Sequence, residues 1–154
     1  MKVKSRKALF SLVFFAVLLL GYVLWLSWRP VKIVAVHQDH HFSDVLVENF
    51  PFTDEGKIEW WLKNKDMLKA KYGIPRPEAD GAFTIVFWLF GKGYKETDGY
   101  DRLCFDDMNT TINCIDKKRV FSVSYSKNRG ISFIAHKGIY RMRKNGEIVK
   151  DNSD

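Results

Sequence analysis

From Ala8 to Trp28 the chain runs ALFSLVFFAVLLLGYVLWLSW without a single charged residue. As a helix this stretch would reach about 31 Å, matching a bilayer hydrocarbon core of about 30 Å. A helix apolar on every face has no place inside a soluble core this small. A cleaved signal peptide would have an apolar region of about 7–15 residues ending in a small-x-small site. Here the stretch is longer and closes on Tyr22, Trp25 and Trp28, residues that favour the membrane interface. The pattern predicts a basic tail over 1–7, one uncleaved transmembrane helix over 8–28, a folded domain over 29–150 and a frayed end over 151–154.

Beyond the span the period changes. Val31 to Val36 and Asp44 to Phe50 read as strands. Thr53 is suited to N-cap a helix from Asp54 to Tyr72, with Asp54 and Glu55 in its first turn, Gly73 at its end and Pro75 beyond. Ile58, Trp61, Leu62, Leu68 and Tyr72 share one helical face. Ala82 to Phe90 suits a strand covered on both sides. Tyr100 to Phe105, Thr111 to Ile115, Val120 to Ser126, Ile131 to His136 and Gly138 to Met142 follow as strands. Asn145-Gly146 marks a hairpin before Ile148 and Val149. The sum is an α+β domain: one helix packed on a mostly antiparallel sheet.

Charge narrows the function classes. The net charge is +7, but four of the 25 basic residues (Lys2, Lys4, Arg6, Lys7) precede the span and all 18 acidic ones follow it. The 21 basic residues left beyond the span exceed the acidic ones by only 3. That is no basic stripe, so nucleic acid is not an expected partner. The crowded N-terminal cations keep that end cytoplasmic and place the domain outside. In an oxidising compartment Cys104 and Cys114 would pair; two buried free thiols are the alternative.

Four features carry candidate chemistry. His37, Asp39 and His41 would share a strand face at period two and could ligate a metal, with His40 beside them; incidental loop histidines are the plainer reading. Asp98, Asp101, Asp106 and Asp107 lack calcium-loop spacing and read as solvated turn carboxylates. Trp60 and Met67 point away from the helix's main apolar face, so either they form a contact surface or other elements cover them. Arg141 and Arg143, near Lys137 and Lys144, form a basic edge for an acidic partner or anionic lipid, or simply a charge-protected edge strand. No nucleophile motif and no cofactor motif stands out.

The run VAVHQDHHFSDVLVENFPFTDEGKIEWWLKNKDMLKAKYGIP, with FWLFGKGYK, YDRLCFDD, NCI, FSVSYSKN and WRPVKIVAVHQ after the anchor, resembles the enterobacterial putative membrane proteins of unknown function. The resemblance covers nearly the whole chain. It implies a single-pass Gram-negative inner-membrane protein with a periplasmic domain, and carries over no catalytic residue. The resulting expectation is a non-enzymatic protein held in the lipid bilayer by residues 8–28. Its domain would bind another protein, as an envelope accessory subunit or an immunity-type inhibitor. The alternative is a metal-assisted hydrolase on the His37 cluster.

Overall fold

The computed structural model describes the backbone of residues 2–152 and side chains from Ser5 to Asn152. The side chains of Lys2 and Lys4, which carry part of the orientation argument, and residues 153–154 of the expected frayed end lie outside the described residues. The chain forms two compact units, Met1–Pro30 and Val31–Asp154.

The first unit is α1 (Lys2–Ser27), one helix long and apolar enough to cross a membrane. Phe10, Phe14, Phe15 and Leu19 are all more than half exposed. A soluble protein would bury such side chains, whereas hydrocarbon solvates them. At its end the Arg29 guanidinium lies over the Trp25 ring, 3.8 Å from the centroid.

The second unit contains β1 (Lys32–Asp39), β2 (Phe42–Glu48), α2 (Asp54–Tyr72), β3 (Phe83–Leu89), β4 (Arg102–Cys104), β5 (Cys114–Asp116), β6 (Arg119–Ser126), β7 (Gly130–Ala135), β8 (Gly138–Met142) and β9 (Ile148–Lys150). Seven strands make one sheet in the order β1-β2-β3-β6-β7-β8-β9; β4 and β5 pair separately. Every neighbouring pair is antiparallel except β2–β3, which is parallel. Parallel neighbours need a crossover, and α2 supplies it. The α+β architecture read from the sequence holds.

Local chemistry explains the helix ends. Thr53 Oγ1 accepts the Gly56 N–H at 3.0 Å, and Gly73, at φ 67°, donates its N–H to the last carbonyls of α2. A Cβ on Gly56 would meet that same Thr53 oxygen at 2.8 Å, so a side chain there would displace the cap.

Side chains alternate across the sheet. On the helix side Val45, Val47, Ile85, Phe87, Phe121, Val123 and Phe133 meet Ile58, Trp61 and Leu68 of α2. Phe121 stacks on Phe133 at 6.0 Å, and the Trp61 ring meets Phe133 edge-on at 5.5 Å. On the opposite side Leu46 packs with Phe105 and Ile115 of the β4–β5 arm, joined by Trp88, Phe90, Tyr94 and Leu103. The arm is closed by the Cys104–Cys114 disulfide, between residues directly opposite in the pair.

The expected frayed end is anchored at its first residue. Asp151 N–H donates to the Ile139 carbonyl, and its carboxylate pairs with Arg141.

Candidate functional site

The histidine run does not lie on one strand. His40 and His41 form the two-residue turn between β1 and β2, with His40 at φ 50°. The turn removes His41 from the face that period two would give it. Each member of the candidate cluster then has a different partner. His37 faces Asp107; Asp39 lies 2.6 Å from His40; His41 Nδ1 lies 2.6 Å from Glu78. Among the described residues no group of three or more His, Cys, Asp or Glu could hold a metal ion. The candidate ligands His37, Asp39 and His41 therefore do not converge in the fold.

His37 instead centres a polar network under the β4–β5 arm. It is 8% exposed and lies flat on Phe105, with ring centroids 3.8 Å apart and planes within 10°. Its Nδ1 is 2.9 Å from both Asp107 oxygens, and its Nε2 is 2.8 Å from the Tyr94 hydroxyl. A neutral ring satisfies both contacts when Nδ1–H donates to Asp107 and Nε2 accepts from Tyr94. Burial, and secondly the Asp107 charge, push the Tyr94 hydroxyl above its ordinary range, which keeps it a donor. Directly opposite His37 in the β1–β2 register is Asp44. Its carboxylate accepts the Trp88 indole N–H at 2.7 Å. Burial raises the Asp44 carboxyl and outweighs the lowering by that bond and by His37.

The network joins β1, β2, β3, the loop before β4 and the loop after it. Tyr94 and Asp107 lie 57 and 70 residues from His37 in sequence. Periodicity has no access to such distances, so Tyr94, Asp44 and Trp88 were not legible as members of the site. The partial signal was chemical: a histidine in a strand and acids in the Cys104–Cys114 segment.

The acidic segment itself is paired rather than open. Arg102 grips Asp98 and also reaches Asp116, while Lys117 pairs with Asp101. The Arg102 bonds hold the Asp98 carboxyl down at about 2.

Of the two helix residues expected away from the main face, Trp60 is covered. Its ring meets Phe50 and Phe87 edge-on at 5.2 and 5.7 Å, because the segment after β2 closes that side of α2. Met67 is 37% exposed. The two do not make one open apolar surface. In the C-terminal hairpin Arg141 pairs with Asp151 and Arg143 with Glu147 at 3.1 Å, so both cations have acidic partners within the hairpin.

The sheet edges differ in kind. β9 is a three-residue strand ending at Lys150. β1 has eight residues, pairs only with β2 among the described strands, and reads Ile33-Val34-Ala35-Val36 through its middle. A bulge interrupts it between Ile33 and Ala35, after which pairing is regular to Asp39. Its outer edge has backbone groups free to pair with another strand.

A family model described as enterobacterial putative membrane protein matches residues 2–152. No curated protein and no solved structure matches the chain.

Proposed function

The chain belongs to the enterobacterial putative membrane protein family, and from that premise we propose that it is a membrane-tethered binding protein rather than an enzyme. α1 anchors it in the inner membrane with its basic end in the cytoplasm, and the disulfide-closed domain works in the periplasm. The partner is another protein, as for an envelope accessory subunit or an immunity-type inhibitor.

The observation that carries this reading is the open edge of β1. Edge strands that are long and largely apolar invite a further strand, and folded proteins usually blunt them. Here Lys32 and the bulge blunt only the start of the strand; the regular stretch from Ala35 to Asp39 contains no Pro or Lys, and its acid comes at the end. Strand addition supplies affinity through main-chain hydrogen bonds and specificity through alternate side chains. A Trp60 substitution does not test this reading, since removing a ring packed on Phe50 and Phe87 would damage the core.

The test is photo-crosslinking of the full chain in its native envelope, with a benzophenone amino acid at Gln38 on β1 or at Lys127 in the β6–β7 turn. Gln38 should capture one protein in stoichiometric yield and Lys127 none. Identical background from both positions would remove the reading. A reporter active only outside the cytoplasm, fused after the C-terminus, checks the topology; an inserted but inactive fusion would reverse it.

A further inference from the structure

Where the ends of β3 and β7 and the start of β6 meet the first turn of α2, the domain has a cleft of about 490 Å³. That volume lies in the range of small-molecule sites, about 300–1,000 Å³. Its lining has two kinds of wall. Phe50, Leu89 and Phe121 present carbon; Lys57, Arg119 and His136 present nitrogen. Among the described residues no Asp or Glu lines it.

Lys57 is the unusual member. Its side chain is 7% exposed, yet its ammonium makes no hydrogen bond among the described residues. The nearest acid is Asp54, whose Oδ1 lies 4.0 Å away. That carboxylate is already engaged: Oδ1 accepts the His136 N–H, and Oδ2 accepts the Lys137 N–H and the Tyr140 hydroxyl. Asp54 therefore offsets the lysine charge without satisfying its donors. An ammonium carries three donors, and a buried charge is stable only when paired and hydrogen-bonded. A folded chain that needed only packing at this position would do better with an apolar side chain.

We infer that this cleft binds a small amphipathic carboxylate, its head on Lys57 and Arg119 and its hydrocarbon on Phe52 and Leu89, over the buried Phe50 and Phe121 rings. Lys57 supplies a cation whose stem is fixed by burial, the exposed Arg119 meets the head from the solvent side, and the apolar wall selects an apolar body. The site stands apart from the β1 edge and does not depend on the protein-partner reading.

The experiment titrates the full chain in zwitterionic nanodiscs with hexanoate by calorimetry, subtracting empty nanodiscs. Hexan-1-ol and acetate serve as the tail-only and head-only probes. Hexanoate should bind saturably, at least tenfold tighter than either probe. Arg119→Ala, at an exposed position, should weaken hexanoate at least fivefold, and Lys57→Met should abolish saturation. Absence of saturable hexanoate binding would overturn the proposal. So would hexan-1-ol binding equally well, which would mean an apolar groove without anion recognition, or acetate binding equally well, which would mean a bare anion site. Unchanged affinity in Arg119→Ala would also overturn it, and that variant keeps the test decisive if Lys57→Met fails to fold.

Discussion

On one face of the seven-stranded sheet, Phe87 and Phe133 meet Trp60 and Trp61 of α2 ring against ring, with Phe121 packed between them; on the other, Leu46 and Trp88 pack on Phe105 and Ile115 of the β4–β5 arm, and His37 adds a polar contact to Asp107. The helix face draws on area and packing, which depend little on any one partner's orientation. The arm face buries a smaller apolar cluster and adds to it the aimed donors and acceptors around His37, a three-residue strand pair and a disulfide. A short two-stranded ribbon is marginal by itself, so here covalent closure and buried hydrogen bonds supplement the small apolar cluster.

The largest expected effect lies on the helix face. Phe121 is fully buried between Phe87 and Phe133. Phe121→Ala should cost about 3–5 kcal/mol by lost transfer and cavity formation. Against a domain stability of about 5–15 kcal/mol that is a large fraction. Denaturant titration of the full chain in a membrane mimetic, read by tryptophan fluorescence, checks it. A loss under about 1 kcal/mol would mean the stacked rings are not the main support of this face.

Next comes the arm. Closing the loop between Cys104 and Cys114, ten residues apart, stabilises by about 3 kcal/mol in the chain-entropy picture. The paired change Cys104→Ser with Cys114→Ser should therefore cost up to that amount, and the loss should be local. Amide exchange should rise in β4, β5 and the loop carrying Asp107, while α2 and β6 stay protected. Uniform deprotection of both faces would show that they unfold as one unit and that the contrast between them has no dynamic counterpart.

The same contrast governs what could be read in advance. α2 was legible to its ends because cap, first-turn acids, apolar spacing and terminal glycine all act within a turn or two. The alternation of β6 and the Asn145-Gly146 turn were legible for the same reason. The arm face was not. The His40-His41 turn consumed the histidine that period two would have placed beside His37. Tyr94 and Asp107 reach His37 only through the folded topology. Trp60 shows the intermediate case: its angle on the helix was right, but the cover from Phe50 belongs to a loop with no periodic signal. The cleft beside Lys57 was invisible for the reason that makes it interesting, since a lysine in a first turn normally projects into water.

The smallest effects give the sharpest version of the comparison, because one acid against each face of the sheet, Asp54 and Asp44, is shifted from the ordinary value of 3.8, and the two shifts are opposite. On the helix side burial pushes Asp54 up, but the Lys137 N–H, the Tyr140 hydroxyl, the His136 N–H and Lys57 outweigh it, so the carboxyl is held below that value. The unfolded chain then binds the proton more readily. The stability Asp54 contributes is complete above about pH 3.8 and is lost as pH falls through the lower folded value. Asp54→Asn should cost about 2–3 kcal/mol near neutrality, since an amide offers one acceptor oxygen to three donors, and should flatten the acid limb. Asp44 has the opposite sign. Its folded value is raised by burial, so the folded state binds the proton more readily and ionisation costs stability as pH climbs from 3.8 through the raised value. Asn at that position keeps an oxygen for the Trp88 N–H. Asp44→Asn should therefore be neutral or stabilising by about 1 kcal/mol or less above the raised value, and should steepen the net acid loss by removing the opposing slope. Denaturation midpoints between pH 3 and 7 for the parent and both variants would decide it. Two variants that change the limb in the same direction would mean that the faces do not differ electrostatically, whatever their packing.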